Sequence, residues 1–207
     1  VGTDVAWIED ENPRQLLSQV AARFYKAQPE NIAAVTGTNG KTSTVNFALQ
    51  FWERLGMTGA SLGTLGIRGK GVEVSGSMTT PDPVTLHAHL SDLASSKISH
   101  LALEASSHGL HQHRLDGVKI KAAGFTNLTR DHLDYHQTMD EYRTAKLRLF
   151  AEVLDSSGIA VVNADTPEAK QIAGICAERK ITCWTYGLRG KEFCLIDREP
   201  TAYGQKL

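Results

Sequence analysis

Short apolar runs rich in Val, Ile, Ala and Phe alternate along the chain with stretches whose apolar residues return every three or four positions. That alternation predicts an α/β fold, a mostly parallel sheet flanked by helices. Strands are predicted at 31–37, 59–67, 99–105, 121–127, 158–164 and 181–187, after a first helix over PRQLLSQVAARFYK. Asp82 followed by Pro83 opens a helix over 82–96, because a carboxylate can cap the first N–H groups and proline lacks the N–H that would go unpaired there. Asp165 and Pro167 predict the same start for the helix that follows the fifth strand. Thr138 and Glu141 form a capping-box pattern for a helix running to about residue 154. In the helix after the first strand, Val45, Ala48, Phe51, Trp52 and Leu55 recur at helical spacing and predict its core face. Residues 188–207 are strand-like and charged, with no clear core face.

Composition narrows the function. The 207 residues are 41% hydrophobic and 22% charged, ordinary for one α/β domain, and the net charge of −1 leaves no basic footprint for nucleic acid or an anionic membrane. No apolar run approaches the roughly 18 residues of a membrane span, and no basic, then apolar leader opens the chain, so a cytoplasmic protein is expected. Cys176, Cys183 and Cys194 are odd in number and lack metal-ligand spacing, which argues for reduced thiols over a disulfide framework or a zinc site.

The stretch AAVTGTNGKTSTVNF, residues 33–47, runs from strand through glycine turn to helix. Backbone N–H groups of such a turn and of the helix start form a cradle for phosphate oxygens. Lys41 adds charge, and the Thr42 hydroxyl is placed to reach Mg²⁺. The strict phosphate-loop pattern asks for glycine where Val35 stands, but the order of elements favours a nucleotide site over a plain turn.

Other residues converge on the same sheet edge. Glu104 ends the strand 99–105, where open α/β sheets bind ligands, and a carboxylate there suits Mg²⁺. After strand 121–127 come Asn127, Asp131, His132, Asp134 and His136, of which His132 is a candidate metal ligand. In the helix 138–154, Lys146 shares a face with Tyr142, Leu149, Phe150 and Val153, opposite Glu141, Thr144 and Arg148. An inward lysine usually snorkels to water. Burial would instead lower its pKa, and the neutral amine reacts with carbon dioxide to give a carbamate with two anionic oxygens for a second Mg²⁺. His108, His111 and His113 invite a zinc reading, but no glutamate base accompanies a histidine pair at helical spacing.

TGTNGKTST, MTTPD, LEASSHGLHQHR and FTNLTRDHLDYHQTMDEYRTAKLRLF, in that order, resemble the ATP-binding central domain of the Mur ligase family over roughly residues 15–190. Within the family the likeness is to the enzymes that add the third amino acid, diaminopimelate or lysine, of the peptidoglycan stem. The resemblance implies that Gly37, Thr38, Asn39, Gly40, Lys41, Thr42 and Ser43 hold the ATP phosphates. It implies that Thr42 and Glu104 hold one Mg²⁺ and His132 and carbamylated Lys146 a second. Thr79, Thr80, Ser106, Gln112 and Arg114 match positions that contact the UDP-muramoyl-peptide, whereas Met78 stands where relatives often carry Asn. The implied reaction is ATP-driven amide formation through an acyl phosphate, by a monomeric enzyme of the bacterial cytoplasm, with an amino acid and the UDP-muramoyl-dipeptide as partners.

The resemblance also implies missing parts. Residues 1–30 correspond to the end of an N-terminal region with a leading helix, and 31–207 to a central domain shortened at its C-terminal end. The domain that binds the incoming amino acid is expected outside the chain, so the fragment is expected to be inactive alone. A folylpolyglutamate-type or other Mur ligase shares the loop logic, but SSHGLHQHR and DHLDYH argue against it. A phosphate-loop GTPase would carry N-K-x-D, which this chain lacks; a non-catalytic nucleotide-binding module remains an alternative for the fragment itself.

Overall fold

The computed structural model describes residues 8–76, 78–131, 133–202 and 204–206. In chain order the elements are α1 (Pro13–Tyr25), β1 (Asn31–Thr36), α2 (Lys41–Arg54), β2 (Gly59–Gly63), β3 (Gly66–Gly69) and β4 (Val72–Val74). Next come α3 (Pro83–Ser95), β5 (His100–Glu104), α4 (Ser107–His111), β6 (Ile120–Phe125), α5 (Leu133–His136) and α6 (Met139–Arg148). A π-helical turn over Leu149–Val153 leads to β7 (Leu154–Asn163), α7 (Ala169–Glu178), β8 (Thr182–Gly187), β9 (Phe193–Cys194), β10 (Glu199–Thr201) and β11 (Gly204–Lys206).

Among the described residues the sheet has the order β4-β3-β2-β5-β1-β6-β7-β8-β9. Its pairs from β2 through β9 are parallel, and β3 and β4 extend one edge antiparallel. β10 and β11 form a separate hairpin. Side chains alternate across a strand, so β1 serves two layers. Ile32 and Ala34 face the main core, with Leu86, Leu90 and Leu93 of α3, Phe150 of the π turn and Ile172 of α7. Val35 faces the other way, onto Val45 of α2 and Ala102 of β5. No described helix is long and apolar enough to cross a membrane.

The chain leaves β1 towards β2 on one side and passes from β5 to β6 on the other. Loops on either side of that reversal splay apart at the carboxyl edge, which opens a crevice beside β1. Register brings the three strand ends level there: Val35 lies opposite Glu104, and Thr36 opposite Phe125.

Several expectations need correction. The run 59–67 is two strands and a tight turn, because Gly66 at φ 84° reverses the chain and sends β3 back along β2. Ser61 and Thr64 among Gly, Ala and Leu leave no alternation that marks such a reversal. Asp82 does cap α3, accepting from the N–H groups of Val84 and Thr85. Asp165 caps nothing: its carboxylate accepts from Leu188 and Arg189 N–H across the sheet, and α7 starts at Ala169. On α2, Phe51 and Leu55 are 65% and 69% exposed, while Val45 and Leu49 are buried and Trp52 packs against them. Its core face is narrower and rotated by part of a turn. β7 begins at Leu154, ahead of the expected 158, with an irregularity where it meets β6. Arg148 faces α4 and not open solvent, pairing with the buried Asp116 and donating to Leu110 O.

Candidate active site at the sheet edge

The turn after β1 depends on glycine at two points. Gly37 has φ 144° and a Cβ there would stand 1.9 Å from Thr126 Oγ1, while Gly40 has φ 87°. The segment FTNLT after β6 wraps this turn. Thr38 N–H donates to Asn127 O at 2.8 Å, Asn39 N–H donates to Asn127 Oδ1 at 2.9 Å, and Thr126 Oγ1 donates to Asn39 O at 2.7 Å. Thr38 Oγ1 accepts from Thr129 N–H at 2.9 Å and lies 3.2 Å from the Tyr142 hydroxyl. The loop is therefore held from behind, by side chains and backbone of the segment after β6 and by Tyr142 of α6.

Its front is open. An α-helix leaves its first N–H groups without an intrahelical acceptor, and α2 follows directly on Gly40 with no side-chain cap. Ser43 is exposed in that first turn. Lys41 folds over the loop, donating to Gly37 O at 3.0 Å and Thr38 O at 2.9 Å. Burial lowers its pKa, against the opposing pull of the Glu104 and Asp131 charges.

Lys146 reaches the same loop from α6. It is 1% exposed, donates to Gly37 O at 2.8 Å and has its nitrogen 4.5 Å from the centre of the Tyr142 ring. Burial, helped by the nearby Lys41 charge and opposed by Asp131, pushes its pKa down to about 7. Two lysines thus share one carbonyl oxygen, and a neutral amine becomes accessible near neutral pH.

Glu104 links this loop to the second group of candidates. Its Oε1 accepts from the Thr42 hydroxyl at 2.9 Å and from Thr64 N–H at 2.9 Å. Its backbone oxygen accepts from Thr80 Oγ1 at 2.8 Å, and Thr80 Oγ1 accepts from Ser106 N–H at 3.0 Å. Arg114 donates to Thr80 O at 2.6 Å and to Gln112 Oε1 at 2.6 Å, with its Nη1 3.8 Å from Met78 Sδ. Thr79 lies 3.0 Å from Thr64 through their hydroxyls. Thr79, Thr80, Ser106, Gln112 and Arg114 accordingly form one connected patch beside Glu104. The methionine is part of that patch through a sulfur contact where an amide would offer a stronger hydrogen bond.

The Thr42 hydroxyl and Glu104 carboxylate are hard oxygen donors of the kind Mg²⁺ takes. Glycine at position 63 leaves that carboxylate room, because a Cβ there would stand 2.0 Å from Glu104 Oε1. His132 lies outside the described residues. Among the described residues no group of three or more His, Cys, Asp or Glu side chains is arranged to hold a metal. The histidines of SSHGLHQHR go elsewhere: His108 and His111 pack around Tyr135 and His136, and His113 pairs with Asp116. Asp134 is exposed. Thr64, Thr126, Thr129 and Tyr135 carry polar contacts in the site that sequence reasoning did not single out. The hydroxyl-rich FTNLT run directly after a strand was the available signal for two of them.

The Mur ligase middle domain matches residues 35–206. The chain belongs to the Mur ligase family. It is 55% identical over 164 residues to a UDP-N-acetylmuramoyl-L-alanyl-D-glutamate--2,6-diaminopimelate ligase of Bradyrhizobium diazoefficiens, covering 79% of this chain and 34% of that one. An Agrobacterium fabrum protein of the same name is 48% identical over 195 residues, covering 94% of this chain and 40% of the relative. A solved structure of an enzyme of that name superposes with a TM-score of 0.86 at 31% identity, covering 99% of this chain and 42% of the other. This Mur ligase chain thus spans well under half the length of these relatives.

Proposed function

We propose that the protein containing this chain is an ATP-dependent amide ligase that adds a third amino acid to UDP-N-acetylmuramoyl-L-alanyl-D-glutamate. The amino acid is meso-diaminopimelate or L-lysine, and the relatives' names, which carry 2,6-diaminopimelate, favour the first. The observation that carries this reading is the double attachment of Glu104, through its carboxylate to Thr42 of the glycine loop and through its backbone to Thr80 of the neighbouring patch. A nucleotide triphosphate on the loop and a carboxylate substrate on the patch would then meet beside one acidic side chain.

Residues 31–207 supply the ATP-binding part, residues 1–30 lead into it, and the incoming amino acid is held by a domain outside this chain. Gly37, Gly40 and Ser43 offer backbone N–H groups to the phosphates, Thr38 and Asn39, whose own N–H groups Asn127 holds, shape the loop around them, and Lys41 swings from its carbonyl partners to the terminal phosphate. Thr79, Thr80, Ser106, Gln112 and Arg114 orient the muramoyl-peptide. Its carboxylate oxygen attacks the γ-phosphorus, ADP leaves, and the amine nitrogen of the amino acid attacks the acyl carbon, releasing phosphate and a proton.

Thr42 and Glu104 would hold one Mg²⁺, and His132 with Lys146 a second. Such cations supply the charge that offsets repulsion between carboxylate and triphosphate. For Lys146 this requires conversion. Its neutral amine attacks carbon dioxide, the new N–C bond forms as a proton leaves, and the buried cation becomes an anionic oxygen donor. The depressed pKa and the crowding of two lysines on Gly37 O support that step.

The full-length enzyme with ATP, Mg²⁺ and the UDP-muramoyl-dipeptide should form amide product with diaminopimelate and release one phosphate per bond. Lys146→Ala should reduce turnover on the order of a hundredfold to a thousandfold, with partial recovery on adding short-chain carboxylates. Normal turnover of Lys146→Ala in bicarbonate-free buffer would remove the carbamate from the account. Absence of product with both amino acids would remove the ligase reading.

A further inference from the structure

We propose that Thr64 is a positioning residue that couples the nucleotide side of this site to the muramoyl-peptide side, by bridging the Glu104 carboxylate and the Thr79 hydroxyl. The inference rests on the ligase reading for what binds on each side. The bridge itself rests on geometry alone.

Thr64 sits in the turn between β2 and β3, where the chain reverses at the sheet edge. Its N–H donates to Glu104 Oε1 at 2.9 Å and its hydroxyl approaches Oε2 at 3.4 Å, so the residue faces both carboxylate oxygens. The same hydroxyl lies 3.0 Å from Thr79 Oγ1. A hydroxyl has one proton and can accept as well as donate. The arrangement that satisfies both contacts has Thr79 donating to Thr64 Oγ1 and Thr64 donating to Glu104. Meanwhile Thr42 approaches Oε1 from the loop, so Glu104 receives one hydroxyl from each side of the site.

The surrounding sequence makes this approach possible. A Cβ at position 63 would collide with the Glu104 side chain, so glycine there lets the turn close onto the carboxylate, while Gly66, at φ 84° and 2.0 Å from Val74 O at its would-be Cβ, makes the reversal itself. A turn that served only to join β2 to β3 would need no contact with a carboxylate. A ligand oxygen that takes the Thr79 proton removes a donor from Thr64, frees the Thr64 hydroxyl to turn, and so changes what Glu104 receives. Occupancy on the peptide side is thereby felt at the carboxylate beside the loop.

The test uses the full-length protein and a double-mutant cycle of Thr64→Val with Thr79→Val, together with Thr64→Ser. Calorimetry of Mg²⁺–ADP binding should show Thr79→Val weakening affinity about threefold when Thr64 is present and leaving it unchanged in the Thr64→Val background. Thr64→Ser, which keeps the hydroxyl, should preserve the Thr79→Val effect. In turnover assays, Thr64→Val should raise KM for the UDP-muramoyl-dipeptide about tenfold, and Thr64→Ser should restore it. Additive effects of the two valines on Mg²⁺–ADP affinity, or a Thr64→Ser variant as impaired as Thr64→Val, would overturn the coupling. If the wild-type enzyme forms no amide, the ligase reading fails, and the calorimetric cycle still decides the bridge.

Discussion

The starts of α2 and α6 differ in what satisfies their first N–H groups. Thr138 caps α6, its hydroxyl accepting from Glu141 N–H at 3.1 Å. α3 and α4 are closed in the same way by Asp82 and Ser106. α2 begins instead at a left-handed glycine with no side chain to offer. Its neighbours could have supplied a cap, since Thr38 and Asn39 are adjacent, but Thr38 is turned back onto Thr129 and Tyr142. A capped helix start is complete without a ligand. An open one backed by a rigid loop and a lysine is suited to bind an anion, whereas the capped start of α6 only anchors the helix that carries Lys146 to the loop.

Gly37→Ala breaks the contrast from the α2 side and should have the largest effect. The alanine Cβ collides with Thr126, so the loop must move, at a cost of at least about 2 kcal/mol of stability together with loss of nucleotide binding. Chemical denaturation alongside ATP calorimetry measures both. Unchanged stability and affinity would mean that the loop conformation is not required.

His87 sharpens the contrast by showing an unmet polar group in the core. It is buried on α3 against Gly117, and its Nε2 has no hydrogen-bond partner among the described residues. Burial pushes its pKa down to about 4 from an ordinary 6.5. The unfolded chain therefore takes up the proton first. The neutral histidine's contribution is fully present above pH 6.5 and is lost as pH falls through 4, a drop of up to ~3 kcal/mol. His87→Leu should flatten that part of the acid limb in denaturation curves taken from pH 7 to pH 4. A variant with the same slope as wild type would show that other groups set it. An unmet group at an open edge can meet a ligand, whereas inside the core it only destabilises.

The smallest effect should come from Thr138→Ala, which removes the α6 cap at a cost of about 1 kcal/mol. Nucleotide affinity should stay at the wild-type value, because the lost hydroxyl serves Glu141 N–H, while the Thr138 carbonyl that holds Tyr142 N–H and the Lys146 contact to the loop remain. A large loss of affinity with little loss of stability would reverse the roles given to the two helix starts.

The same contrast accounts for what was legible in the sequence. Caps and glycine turns are local, so Asp82–Pro83, Thr138 with Glu141 and the loop at 37–40 could be read directly. The inward face of Lys146 followed from helical spacing, because a three-turn helix packed on a sheet has little freedom to rotate. The β2–β3 reversal was hidden since GASLGTLGI carries no charged break and reads as one strand, and with it Thr64, whose partners Thr79 and Glu104 lie outside that run. Asp165–Thr–Pro167 carried a cap signal that a tertiary contact with the 187–189 turn overrode. Arg148 looked like a solvent residue because its partner, Asp116, sits on a different element.

On the proposed function, the open start of α2 and Lys41 hold the phosphates of ATP. Calorimetric titration of the full-length protein with ATP and Mg²⁺, wild type against Lys41→Ala, tests it most directly. Loss of the charge-assisted hydrogen bonds from that ammonium should weaken affinity about tenfold to a hundredfold. The melting temperature without nucleotide should stay close to wild type, because the side chain lies over the loop and not in the core. Equal ATP affinity for the two proteins would contradict the claim.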